Sequence, residues 1–344
     1  MSMSNALDFD VRKGAGYFIY SHEKFKEATD EFHSLLEAAE DGDCTVPQYL
    51  KGLRTLIKKE PELIDAYAHL SIAQNNMGNH RAALTTAKKA LRIALKLIPT
   101  DFKGQIGWGF FDNRPFLRAM ESASMAYRRL GKHKEAARLL DTMLVYNPKD
   151  EVKFMKVLGS DLLRSGDTER AVKHFKKYAD DFSCLHYELA LAYLIDEDWI
   201  NAATHLRKGF TGNIYIGEIL NGNPHPLPLA IWHDDDENVH TALDYIEWYG
   251  ALWDSEPEYL YFARWIFNHS TVMAERAEIM KCKEEMFLSR PKMQRYIIGS
   301  EQLLHIRQAI NARETSELLK TIPDYKGLEI WPWEIPIFTI LDSL

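Results

Sequence analysis

The sequence predicts an all-α protein: an α-solenoid of helical hairpins followed by a helical C-terminal cap region. Three observations predict it. Apolar residues recur at helical spacing through most of the chain. Small residues stand where paired helices would meet. Glycine or an Asn-Pro pair interrupts the pattern at regular intervals.

The expected divisions are 1–60 for N-terminal helices, 61–210 for the repeats and 211–344 for a helical C-terminal region. Residues 22–40 and 47–59 read as a helix pair, with Phe25, Ala28, Phe32, Leu35 and Leu36 in one stripe. The next hairpin carries Tyr67, Leu70, Ser71 and Gln74, then Gly78, Ala83, Ala87 and Ala90. Residues 100–113 are irregular, with Gly104, Gly107 and Gly109 around Trp108. Asp112 or Asn113 is the expected cap of the following helix, and Pro115 suits its first turn. Arg114 is expected to fix this loop through a carboxylate.

The clearest hairpin covers 117–150. Met120, Ala123, Ser124 and Tyr127 share one face, Gly131 breaks the helix, and Ala136, Leu140 and Met143 follow. Asn147-Pro148 ends it, because proline lacks the N–H and clashes with the preceding turn. The pattern then recurs in register. Gly131 and Gly166 stand 35 residues apart, as do Ala136 and Ala171. A looser copy holds His186, Leu189, Ala190 and Tyr193, then Ala202 and Leu206, with a glycine-free turn at Asp196-Glu197-Asp198. Past residue 209 comes a turn-rich connector, then helices expected at 238–253, 257–267, 272–288 and 293–312. The end, 330–344, is too apolar for a free tail and is expected to dock as a cap.

The composition of the 344 residues, 46% hydrophobic and 27% charged, is that of a globular chain. A net charge of -8 makes nucleic acid a poor partner, since phosphate backbones are repelled. The three cysteines, Cys44, Cys184 and Cys282, are scattered and form no C-x-x-C. That argues against a disulfide framework and fits a reducing, cytoplasmic location. Residues 1–12 are polar and acidic, unlike a secretory signal, and the apolar runs are too short to span a membrane.

The pattern of Met120, Ala123, Ser124, Tyr127, Gly131, Ala136, Leu140 and Pro148 resembles the tetratricopeptide superfamily, whose period is about 34 residues. The run from Gly104 to Ala119, through Trp108, Asn113, Arg114, Pro115 and Phe116, is similar to a signature of bacterial tetratricopeptide proteins related to the suppression-of-tumorigenicity family. Asn147-Pro148-Lys149-Asp150, Asn223-Pro224-His225 and the stretch holding Tyr249, Trp253, Pro257 and Trp265 are similar too. The resemblance covers 50–267. It departs after His225, where Pro226-Leu227-Pro228 follows. It implies tetratricopeptide-type hairpins and a role in protein contacts.

In such a stack the first helices would present Arg118, Met125, Arg128, Lys153, Lys156, Tyr187 and Leu191 on a concave face. The four basic residues would pair with charge, the other three would give apolar contact, and the partner would be an acidic peptide with an apolar end. The Lys and Asn positions that clamp a C-terminal carboxylate in some relatives appear here as Ala68, Ile72, Glu121 and Met125, so that clamp is not expected.

The leading expectation is therefore a non-enzymatic adaptor or regulator without a cofactor. One alternative is an enzyme with a metal or hydrolytic site at His233-Asp234-Asp235-Asp236-Glu237 and His240, where the bland reading is an acidic helix start. Another is a structural subunit of a larger assembly or a bacterial effector. The glycines at 104, 107 and 109 lack the Gly-Lys-Ser/Thr ending of a phosphate loop.

Overall fold

The protein, seen in a computed structural model, is described over residues 7–148, 154–231, 237–289, 292–324 and 326–335. It divides into two compact units, 1–167 and 168–344.

The first unit opens on an antiparallel hairpin of β1 (Leu7–Arg12) and β2 (Ala15–Tyr20) that the helical reading of the sequence did not contain. Lys13 and Gly14 both take positive φ, 50° and 78°, which is what a two-residue hairpin turn of the right twist demands. Phe9 pairs across from Phe18, and Leu7 and Phe18 are buried. Helices α1 (His22–Glu40), α2 (Val46–Lys59), α3 (Ile64–Asn76), α4 (His80–Leu95), α5 (Arg114–Arg129), α6 (His133–Tyr146) and α7 (Met155–Arg164) follow. A capping box at Thr45 and Gln48 starts α2.

The irregular stretch before α5 has a definite job. Gly16 N–H donates to Gln105 O at 2.7 Å, and Gln105 N–H donates to Gly14 O at 3.1 Å, so the loop adds to the hairpin edge. A Cβ on Gly104 would stand 2.0 Å from Gly14 O, so this approach needs glycine. Asn113, expected as a cap, makes no side-chain cap. It is fully buried instead. Its Oδ1 accepts from Phe18 N–H at 3.0 Å, and its Nδ2 donates to Gly16 O at 3.1 Å and Gly107 O at 3.2 Å. Arg114 does hold the loop, but its Nε donates to the Trp108 carbonyl at 3.1 Å rather than to a carboxylate.

The second unit holds α8 (Thr168–Tyr178), α9 (Cys184–Ile195), α10 (Trp199–Gly212), α11 (Ile214–Leu220), α12 (Val239–Trp253), α13 (Pro257–Asn268), α14 (Ser270–Leu288), α15 (Lys292–Ile297), α16 (Leu303–Ala309) and α17 (Ala312–Leu318). Helix α11 occupies part of the expected connector. The helix expected at 293–312 is broken by a π-helical turn at 298–302 and by Ile310 and Asn311. A short pair, β3 (Ile322–Pro323) with β4 (Glu329–Ile330), precedes Trp331-Pro332-Trp333. Trp333 is buried against Phe262, Trp265 and Trp199, with ring centroids 4.7, 5.3 and 5.4 Å away.

The repeat is written in the turns. Glycine follows α3, α5 and α7 with φ of 75°, 68° and 81° at Gly78, Gly131 and Gly166. At each turn the next amide reaches back five residues: Asn79 to Gln74 O, Lys132 to Tyr127 O and Asp167 to Leu162 O. This is the glycine-terminated helix end that satisfies two otherwise orphaned carbonyls. The turn after α9 repeats it, with Asp198 N–H donating to Tyr193 O, although Glu197 must take a φ of 57°. The fold is all-α in its bulk, and α3, α5, α7 and α9 all end in this same turn.

Candidate partner-binding site

The seven residues expected on one concave face meet different fates. Arg118 and Met125, two helical turns apart on α5, are half-exposed. Met125 borders a shallow hollow with Asn75, His80 and Arg129. Arg128 is buried, and its Nη2 donates to Asp161 Oδ2 at 2.8 Å. It is therefore already neutralised and offers no charge to a partner.

Tyr187 and Leu191 are 0% and 1% exposed, which overturns their assignment to an open groove. The cause is legible in α9, where Leu185 to Leu194 are all buried: a helix apolar all round belongs inside. The Tyr187 hydroxyl is spent on the backbone, donating to Asn213 O and accepting from Gly217 N–H. Lys153 lies outside the described residues, as does the Lys156 side chain.

What the first unit does present is a cleft of about 440 Å³ lined by residues of α1, β2, α3 and the start of α5. That size is in the range of ordinary ligand sites. Phe25, Phe32, Leu63 and Pro115 are the buried apolar part of its lining. The first three come from the stripe read in α1 and from the residue ahead of α3. Arg118, Asp65 and Arg114 supply charge, and Lys26, Asp30 and His33 lie exposed on α1.

The charges are not equally available. Arg118 Nη1 donates to both Asp65 oxygens at 2.7 and 2.8 Å. Arg114 uses Nε on the Trp108 carbonyl, while its Nη atoms have no hydrogen-bond partner among the described residues. Its guanidinium lies 4.2 Å from the Phe111 ring centroid and 5.5 Å from that of Trp108, and this stacking fixes its direction. Phe111 itself is 73% exposed.

The Tyr20 hydroxyl is buried and makes no well-aligned hydrogen bond among the described residues. Burial, then the carboxylates of Asp65 and Asp112, push its pKa well above the ordinary value, so it remains a neutral hydroxyl. Behind Asp65, Tyr49 OH lies 3.0 Å from His69 Nδ1. Burial first, and Asp65 second, push Tyr49 up to about 12. Burial holds His69 below its usual value.

Of the residues lining this cleft, the sequence reading names only Arg118 as partner-binding. Phe111, Asp112, Arg114 and Pro115 all lay inside the quoted signature. The hairpin that brings Tyr20 to them was not foreseen. For the metal alternative, His233 to Asp236 lie outside the described residues. Among the described residues no cluster of three His, Cys, Asp or Glu side chains could hold a metal ion. No helix among them is long and apolar enough to cross a membrane.

No family model matches the chain, and no curated protein is significantly similar to it. Solved structures similar to it include MamA from Desulfovibrio magneticus RS-1, at 19% identity over 53% of this chain and 93% of that one, with a TM-score of 0.42. A second is the C-terminal part of a TPR repeat-containing protein from Cytophaga hutchinsonii, at 12% identity over 86% and 99%, with a TM-score of 0.40. A third is a tetratricopeptide repeat protein from Parabacteroides merdae, at 14% identity over 85% and 97%, with a TM-score of 0.36.

Proposed function

We propose that the protein is a protein–protein interaction module, an adaptor or regulator that seats a segment of a partner in the cleft beside Arg118. The observation that carries this is the Arg114 guanidinium: half-exposed, aimed by Trp108 and Phe111, and with its Nη atoms uncommitted above an apolar lining. A planar fork of this kind suits a carboxylate. Phe25, Phe32 and Leu63 suit an apolar neighbour. The fitting partner is an acidic segment with an apolar end, bound at this cleft rather than along a groove through Tyr187 and Leu191.

The test is capture from native lysate, with identification by mass spectrometry and titration of the purified partner. Wild type is compared with Arg114→Gln, with the exposed pair Lys26→Glu/Phe111→Ala, and with a second-unit control, Glu278→Gln. The expected result is a partner held by wild type and the control and weakened at least about tenfold by both cleft variants, the scale of losing one charge-assisted contact. An unchanged set of captured proteins across all four would overturn the cleft as the binding site.

A further inference from the structure

In the second unit a cavity of about 260 Å³ is lined by the α8–α9 connection, the C-terminal end of α10, and α16. Ser183, His186, Lys208, Thr211 and Arg307 line it, together with Asp180. Two donors there, Ser183 Oγ and Arg307 Nε, are buried and have no hydrogen-bond partner among the described residues. A buried donor without an acceptor is costly, and two on one cavity point to an acceptor between them.

The charge balance agrees. Lys208 makes no ion pair among the described residues; its charge, after the His186 hydrogen bond, helps hold Asp180 below the usual carboxylate value. Arg307 Nη2 is held by Thr211 O and Glu237 Oε1, both at 2.8 Å, but Glu237 is shared with Lys283. The positive field reaches the nearby imidazoles: burial is the main force lowering His186 and His205, and Lys208 lowers both further.

The acidic lining residue is Asp180, whose side chain is 88% exposed. Its Oδ1 lies 3.5 Å from His186 Nε2, and His186 Nδ1 lies 3.0 Å from His205 Nδ1. With both rings neutral, one proton assignment serves both contacts. His205 Nδ1–H donates to His186 Nδ1, and His186 Nε2–H points toward Asp180. A third donor, this one a ring N–H, is thereby turned to the cavity mouth, held only by a long contact to a solvent-exposed carboxylate.

We propose that this cavity binds a small free oxyanion of phosphate type, which takes the place of the Asp180 carboxylate at His186 Nε2–H. Lys208, Arg307 Nε and Ser183 Oγ are the other donors, and Asp180 is the built-in competitor. The volume admits inorganic phosphate or a small monoester and is far too small for a protein segment. The site is independent of the partner cleft.

The experiment is calorimetric titration of the full chain with inorganic phosphate and with glycerol 3-phosphate, at constant ionic strength in chloride. Circular dichroism checks that each variant keeps its fold. Saturable binding at one site is expected. Lys208→Gln weakens it about tenfold or more, and Asp180→Asn tightens it severalfold. Tighter binding of glycerol 3-phosphate assigns a monoester, and equal or weaker binding assigns the inorganic ion. No saturable binding of either ligand to wild type and Asp180→Asn overturns the proposal. So does binding that Lys208→Gln and Asp180→Asn leave unchanged.

Discussion

Arg128 on α5 and Asp161 on α7, 33 residues apart, form a buried ion pair within the first unit. Asp161 is 0% exposed; its Oδ2 accepts from Arg128 Nη2, its Oδ1 accepts from Arg128 Nε, and His133 Nδ1 lies 2.9 Å from that Oδ1. The pair ties one hairpin to the next. Charge reversal at Arg128 would therefore test folding, not partner binding.

Truncating one member leaves the other charge buried and uncompensated. Arg128→Ala is expected to cost about 3–5 kcal/mol in denaturant unfolding. The double variant Arg128→Met/Asp161→Leu is expected to recover most of that loss, because both desolvation penalties vanish together. Equal losses in the single and double variants would show that the packing, not the charge, is what matters.

Asn113 makes a second prediction. Its three hydrogen bonds join the β1–β2 hairpin and the 100–113 loop at the start of α5. Asn113→Ala orphans the Phe18 amide and the Gly16 carbonyl, an expected loss of about 2–3 kcal/mol. Hydrogen exchange should quicken at Phe18 before it quickens in α5. Uniform quickening would mean that the hairpin is no separate opening unit.

How much of this was legible follows physical scale. Helices and their 35-residue repeat were readable, because Gly131 with Gly166 and Ala136 with Ala171 encode a local turn and a local close approach. The β hairpin was not. Leu7, Phe9 and Phe18 alternate over only a few residues, and their partners, Phe102 and Asn113, are about a hundred positions away. The interior of the second unit was misread for the opposite reason. Tyr187 and Leu191 were placed by analogy with first helices that have an open side, while α9 carries apolar residues on every face. Arg118 and Arg114 could both be singled out, because a charged residue near a helix start is visible in sequence. What neither residue reveals alone is that Asp65 neutralises Arg118, while Arg114 spends only its Nε, on the Trp108 carbonyl.

Glu197 gives a third prediction. It takes the φ of 57° that Gly78, Gly131 and Gly166 supply at the equivalent turns. A residue with a Cβ pays roughly 1–2 kcal/mol in this region, part of which glycine recovers at the cost of a more flexible unfolded chain. Glu197→Gly should stabilise the second unit by about 1 kcal/mol, raising its Tm by ~2–4 °C. A lower Tm would show that the Glu197 side chain contributes more than its backbone strain costs.

The paired imidazoles of the second unit predict how stability changes with pH. Burial, then the positive charges of His186 and Lys208, lower His205 to about 3, and burial likewise lowers His186. Both rings are neutral in the folded protein at neutral pH, and both titrate near 6.5 once unfolded. Above that value neither state binds the proton, and the pair adds no pH dependence. As the pH falls below it, the unfolded chain takes up protons that the fold refuses, so stability drops until the folded His205 protonates near 3. Each group that is protonated only in the unfolded chain adds a slope of about 1.4 kcal/mol per pH unit. Unfolding measured between pH 7 and 4.5 should show this loss, and His205→Phe should flatten it while keeping a ring against Tyr193, whose centroid lies 5.6 Å away. The same slope in wild type and His205→Phe would move the acid sensitivity to other groups and leave the pair as a packing element only.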